Sequence, residues 1–196
     1  FFLMLSYLVT NTTLNIDRLV IRQVLGNEQV TWYYVTSLIG KTLVLLIAPI
    51  NTIVISYLTK RKERLTRLQY GKAALAGGIV SFVFFLACQV GTPLFVFYRN
   101  LYDSVKGIVT VVNLAQILGL YSAFLFILVL TFTDERWQLG IQLAHFVILL
   151  AVSIPAAKIY GLEGFAYASL GANILRVAAV IILGLVKAQN GKESKD

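Results

Sequence analysis

The sequence has few charged residues. Asp, Glu, Lys and Arg make up 13% of the 196 residues, whereas apolar residues make up 58% and the mean hydropathy is +0.80. A soluble globular domain contains roughly 25% charged and 45–50% apolar residues, and a soluble chain of this length could not bury so much apolar surface. The composition therefore excludes an ordinary soluble domain and predicts an all-α membrane protein.

Residues that commonly build catalytic or metal sites are also scarce. The chain has one cysteine, one histidine and nine acidic residues. A single cysteine forms no intramolecular disulfide. No group of His, Cys and Glu has the spacing of a metal site, no glycine-rich phosphate loop opens a helix, and one histidine within an apolar segment offers no plausible Ser/His/Asp set. We therefore expect no enzyme activity, no cofactor and no bound metal.

The net charge of +8 is concentrated in two short segments. Residues 60–72 contain six basic residues and one acidic residue, and residues 187–196 contain three basic and two acidic residues. Both segments flank long apolar runs, as the positively charged cytoplasmic loops of membrane proteins do. A nucleic-acid interface would spread its basic residues over a soluble surface, so we expect membrane lipids and no nucleic acid as partners.

Six segments are apolar and long enough to cross a membrane, which takes about 20 residues. Their approximate ranges are 1–25, 30–57, 73–97, 107–131, 139–159 and 162–187. We expect the two basic segments and loop 132–138 on the cytoplasmic side of an inner membrane, in a multi-pass protein. Residues 1–187 then form one six-helix lobe, and residues 188–196 form a cytoplasmic tail. Because the sequence begins inside an apolar segment, we expect an N-terminal part to precede it.

Ionisable residues lie inside several of these segments. Lys41 is near the middle of the second segment and Arg176 near the middle of the sixth, where a charge costs about 2.5–3.5 kcal/mol on insertion scales. Such residues normally face a partner or a water-filled cavity, so both are candidates for substrate binding. Snorkelling to the membrane surface is the alternative, but neither lies near a segment end. Asn173 shares the helical face of Arg176.

The first segment contains a second polar group. Arg18 and Arg22 are four residues apart on one helical face, beside Asp17. We expect Asp17 to pair with Arg18 or with Lys41, either as part of a substrate site or as a structural ion pair. Further polar residues share a face of the fourth segment (Asn113, Gln116) and of the fifth (Gln138, Gln142, His145). His145 either relays protons or forms interhelical hydrogen bonds.

The stretch from Asn15 to Lys60 resembles the seventh and eighth helices of polysaccharide-biosynthesis flippases. It reads NIDRLVIRQVLGNEQVTWYYVTSLIGKTLVLLIAPINTIVISYLTK. The shared features are Asn15-x-Asp17 followed by an apolar step, Leu25-Gly26 at the outer turn, an aromatic at Tyr33 or Tyr34, Pro49, and a basic stretch after the helix. In the segment IPAAKIYGLEGFAYASLGANILR, Tyr160-Gly161-x-x-Gly164 is similar to the turn into the last helix of the family.

The resemblance implies a twelve-helix transporter whose two six-helix lobes enclose a cavity, with this chain as the second lobe and the N-terminal lobe as its partner. It also implies that the substrate is a lipid-linked glycan, an undecaprenyl-pyrophosphate-linked oligosaccharide carried across the membrane for polysaccharide assembly. A diphosphate at membrane depth needs charged donors. We therefore expect Lys41 and Arg176, with Arg18 or Arg22, to line one cationic cavity in which Asn and Gln side chains contact sugars.

Three other functions are compatible with the sequence. The flippases that the chain resembles belong to a superfamily that also contains multidrug and toxin extruders. A drug or cation extruder of that superfamily would favour acidic residues in its cavity, whereas this chain offers Asp17 alone. An integral membrane transferase of the cell envelope would need a catalytic acid or histidine in a sizeable loop, and the loops here are short. A structural membrane subunit would have all its intramembrane charges paired, so unpaired Lys41 and Arg176 would argue against it.

Overall fold

The computed structural model describes residues 2–60, 65–94 and 101–188. Within these ranges the chain is helical almost throughout, and five helices are found: α1 (Phe2–Val24), α2 (Asn27–Thr59), α3 (Arg67–Leu94), α4 (Tyr102–Leu130) and α5 (Glu135–Lys187). The apolar segments predicted from hydropathy are therefore confirmed as helices. Most of the predicted cytoplasmic tail and part of the basic segment before α3 lie outside the described residues.

Helix α5 bends back on itself at Gly161. This residue has φ 65° and ψ −146°, a backbone conformation that is essentially restricted to glycine. Just beyond the bend, Gly164 packs tightly against the backbone carbonyl of Ala156, which a continuous helix would hold about 12 Å away along its axis. Helix α5 therefore consists of a first arm (residues 135–160) and a second arm (residues 162–187) that run antiparallel, as the predicted break between the fifth and sixth segments requires.

Helix α4 lies at the centre of the bundle. It packs against α2, α3 and α5, while α1 packs against α2 and α5. The described residues form two apolar cores at opposite ends of α4. The first core includes Val20, Ile21, Tyr33, Val105, Ile108, Val112 and Phe165. The second core includes Tyr70, Leu125, Val129, Phe132, Val180 and Leu183. Residues 115–123 of α4 lie between the two cores, in the middle layer of the bundle.

Three of the described helices, α3, α4 and α5, are long and apolar enough to cross a membrane. In its most apolar window α4 is 61% buried, whereas α3 is only 17% buried. The exposed side chains of α3 include Leu75, Ile79, Phe82, Val83, Leu86 and Val90. Since a soluble protein rarely exposes so large an apolar surface to water, this face is suited to lipid and the chain is a membrane protein.

Candidate functional site

A small cavity with a mostly apolar wall and several polar side chains lies in the middle layer of the bundle, between the first and second cores. Its volume is about 140 Å³, and α1, α2, α4 and both arms of α5 contribute to its wall. Three small residues at four-residue spacing on α4, Ala115, Gly119 and Ala123, leave the space open. The polar part of the wall includes Asp17, Gln116, His145, Ser169, Asn173 and Arg176.

Arg176 is buried in this wall without a neutralising partner. It lies 14 residues after the start of the second arm, about 21 Å along the helix, and is only 8% exposed. Its guanidinium carbon lies 5.6 Å from the centre of the Phe126 ring. Within residues 2–60, 65–94 and 101–188, no ion pair or hydrogen bond to Arg176 is found, and its Nε atom is buried without a partner. Arg176 is therefore a buried cation to which the described residues supply no ion pair.

Lys41, in contrast, is paired. Its Nζ atom lies 2.7 Å from Oδ2 of Asp17 and donates a second hydrogen bond to the Leu14 carbonyl at 3.2 Å. The two charged side chains are 18% and 10% exposed. Leu14 lies ten residues before the end of α1 at Val24, about 15 Å along the helix. Lys41 is therefore not an unpaired cation, and it no longer argues against a structural membrane subunit.

Arg18 does not compete for Asp17 through its side chain. Its backbone N–H donates to Oδ1 of Asp17 at 2.8 Å, while its guanidinium carbon lies 4.3 Å from the centre of the Tyr34 ring. Of the two partners predicted for Asp17, Lys41 therefore forms the ion pair. Both carboxylate oxygens of Asp17 are engaged, one by Lys41 and one by the backbone, which leaves Arg176 without them.

The first arm of α5 turns a polar face towards the interior. His145 is 4% exposed and lines the same cavity as Arg176, and Gln142, one turn earlier, is 2% exposed. In the described part of the chain, both ring nitrogens of His145 and Oε1 of Gln142 are buried without a hydrogen-bond partner. The predicted shared face is present, but the described helices supply no interhelical hydrogen bond to these atoms.

A polar stripe runs along the outer side of α1. Asn11, Asn15, Arg18 and Arg22 recur at helical spacing, and all four are exposed. Tyr34 of α2 is also exposed and lies beneath the Arg18 guanidinium. This side of the bundle, which we call the α1 face, also exposes Met4, Leu8 and Leu19, but it carries the four polar residues, whereas the large exposed side chains of α3 are apolar.

The six predicted site residues thus fall into two groups. Asp17, Asn173 and Arg176 line the cavity, and Lys41 joins them through its ion pair with Asp17. Arg18 and Arg22 are not in the cavity wall and lie on the α1 face, so the expectation of a single cationic cavity is corrected. Asn173 donates to the Ser169 carbonyl at 3.0 Å.

Sequence reasoning did not single out Tyr33, Thr10 or Thr13 as cavity residues. Tyr33 is 2% exposed, and Asp17, Ser169 and Gln116 surround it. The one available signal was that Thr10 and Thr13 lie seven and four residues before Asp17, on its side of α1. No comparable signal marked Tyr33, because a buried tyrosine in an apolar helix is usual for packing.

In the described ranges no three His, Cys, Asp or Glu side chains come together to hold a metal ion. Comparison with models of known protein families, with curated proteins and with solved structures found no match.

Proposed function

We propose that this chain is one six-helix lobe of a two-lobe transporter that carries a polyprenyl-diphosphate-linked oligosaccharide across the cytoplasmic membrane. The observation that carries the proposal is the α1 face. Four polar residues, Asn11, Asn15, Arg18 and Arg22, are exposed along one side of a helix that belongs to a membrane bundle. Together with the resemblance of residues 15–60 to flippases, this face supports a water-filled transport chamber on the α1 side.

The energetic argument compares the two sides of the bundle. An arginine facing lipid costs about 2.5–3.5 kcal/mol at the bilayer centre on insertion scales and less near a helix end, where it snorkels, whereas the same residue facing water or a partner avoids that penalty. Arg18 is exposed six residues before the end of α1, about 9 Å along the helix. The exposed side chains of α3 are suited to lipid. We therefore assign the α3 side to lipid and the α1 side to the chamber and the second lobe.

The chemistry of the α1 face suits a diphosphate joined to sugars. A guanidinium offers a planar fork of donors that matches phosphate oxygens. Arg18 is held over the Tyr34 ring at 4.3 Å, which orients the fork without neutralising it. In this proposal Arg18 and Arg22 bind the diphosphate, Asn15 contacts sugar hydroxyls, and Lys41 stays with Asp17 to keep α1 and α2 together.

A drug or cation extruder of the same superfamily is less well supported. A cationic substrate needs an available carboxylate in the cavity, and Asp17 is the one carboxylate in the described cavity wall. Its oxygens are already engaged by Lys41 at 2.7 Å and by the Arg18 backbone at 2.8 Å. The cations on the α1 face would in addition repel such a substrate.

The proposal is tested with the full-length protein in proteoliposomes that contain lipid-linked oligosaccharides extracted from the cells that produce it. Translocation is followed by the exposure of the glycan to an impermeant lectin. We expect the Arg18→Gln/Arg22→Gln double variant to lose at least tenfold in rate. Lys72→Gln, which removes an exposed cation from α3, should keep the rate. An unchanged rate in the double variant, or no translocation by the unmodified protein, would contradict the proposal.

A further inference from the structure

We propose that the cavity around Arg176 binds one small monovalent anion of the halide class, for which chloride is the natural probe. The site is inside the lobe and separate from the α1 face. It stands on the charges and donors of the cavity alone, so it does not depend on what the transporter carries.

The charge of the cavity wall is the first part of the argument. Four ionisable side chains line it, Asp17, Tyr33, His145 and Arg176, and a tyrosine is uncharged at neutral pH. Asp17 is neutralised by Lys41 at 2.7 Å, and its second oxygen accepts the Arg18 backbone N–H. With His145 neutral, one uncompensated positive charge remains, that of Arg176. A buried charge without a partner is strongly unfavourable, and one monovalent anion would balance it.

The hydrogen-bonding groups of the wall are the second part. Arg176 is 8% exposed and its Nε atom has no partner in the described chain, and neither ring nitrogen of His145 has one. A neutral histidine offers one N–H donor. Thr10 and Thr13 already donate to carbonyls of their own helix at 2.8 and 2.7 Å. Among the ionisable side chains of the wall, buried nitrogens without a partner are thus found on Arg176 and His145, which come from opposite arms of α5.

The size and shape of the cavity select a small ligand. Its volume of about 140 Å³ is several times the roughly 10–15 Å³ that one water molecule needs by the same measure. A halide with a few waters fits this space, whereas an oligosaccharide attached to a diphosphate does not. Phe126 lies against the Arg176 guanidinium at 5.6 Å, so the anion would approach an edge of the fork and be shielded by an apolar ring.

An anion at this position would join three elements at mid-depth. Arg176 and His145 belong to the two arms of α5, and Ser169 and Gln116 bring the second arm and α4 to the same cavity. The bound anion would replace an unfavourable buried charge by charge-assisted hydrogen bonds. We therefore expect it to stabilise the folded lobe in proportion to its occupancy.

The test is the thermal unfolding of the purified full-length protein in nanodiscs, in sodium gluconate to which sodium chloride is added at constant ionic strength. At a chloride concentration about a hundredfold above the dissociation constant, we expect the melting temperature to rise by on the order of 5 °C. Sodium bromide should have the same effect. Arg176→Gln should abolish the rise, and Lys72→Gln, an exposed cation on α3, should retain it.

Two milder variants test the proposal if Arg176→Gln does not fold. Arg176→Lys and His145→Leu keep the size of the cavity nearly unchanged, and each should raise the chloride concentration for half of the shift several-fold. The proposal is overturned if chloride and gluconate give the same melting temperature, or if the chloride response survives in all three variants. It is also overturned if methylenediphosphonate stabilises the protein while chloride does not, since the cavity would then belong to a diphosphate site.

Discussion

Gly184 of the second arm of α5 lies directly against the aromatic ring of Tyr70 in α3. Tyr70 is fully buried, its hydroxyl donates to the Val180 carbonyl at 3.2 Å, and its ring meets Phe132 edge-on at 5.9 Å. A methyl group at position 184 would overlap the Tyr70 ring. In a membrane, where helices associate through close packing rather than exclusion of water, such a contact between glycine and an aromatic ring holds two helices together.

We predict that Gly184→Ala destabilises the folded protein by about 1–3 kcal/mol, because the added methyl forces the buried Tyr70 ring out of its packed position. Thermal unfolding in detergent measures the change as a lower melting temperature. Gly171→Ala is the matched control, since it lies on the same arm and a Cβ there meets no atom within 4 Å. Equal melting temperatures for both variants would contradict the packing described here.

We predict that Lys41→Met destabilises the protein by about 3–5 kcal/mol, because it leaves the Asp17 carboxylate charged and unpaired in the interior. The double variant Asp17→Asn/Lys41→Met should lose much less, since neither charge then remains. Unfolding in mixed detergent micelles gives the free energies for this double-mutant cycle. If the effects of the two single substitutions simply add, the ion pair does not couple α1 to α2.

We predict that the two arms of α5 lie side by side in the membrane. Spin labels at the exposed residues Leu143 and Ile182, in a Cys88→Ala background, report the distance between the arms. Antiparallel arms place these backbones about 10 Å apart. In an unbroken helix the two residues, which are 39 positions apart in the sequence, would be separated by about 58 Å. Gly161→Ala should broaden the distance distribution, because alanine does not readily adopt φ 65°.

We predict that the α1 face is in contact with water in the membrane-embedded protein. In the same Cys88→Ala background, Asn15→Cys should react with a charged, membrane-impermeant thiol reagent. Val83→Cys lies on the exposed side of α3. It should stay unreactive because lipid tails exclude the reagent. An unreactive cysteine at position 15 would remove the water-filled chamber on which the proposed function depends.

Hydropathy was sufficient to predict the helices because a helix satisfies its backbone hydrogen bonds internally, and lipid then requires only apolar side chains over about 20 residues. The bend at Gly161 was predicted for a similar local reason, as a short break between two apolar runs. The partner of Asp17 was not decided in this way. Arg18 and Lys41 were both within reach in principle, and the choice depends on how α1 and α2 are rotated against each other.

In the candidate site, too, some features were predicted from the sequence and others were decided by helix packing. Arg176 was recognised from its depth in the sixth segment, which is a property of the sequence. Its separation from Arg18 and Arg22 depends on which side of α1 packs against α5, and the predicted single cavity therefore became two sites. Tyr33, His145 and Arg176 meet in one cavity although more than 100 residues separate the first two.

The sequence by itself determined that the chain is a helical membrane protein, where its helices begin and end within a few residues, and which side chains carry charge at mid-depth. These properties depend on local composition, because each segment partitions into lipid according to its own length and apolar content. The tertiary structure alone decided that Lys41 is neutralised by Asp17 while Arg176 is not, and that two cations stay on the surface of α1. These outcomes depend on the rotation and depth of helices against one another, and packing between distant segments sets both.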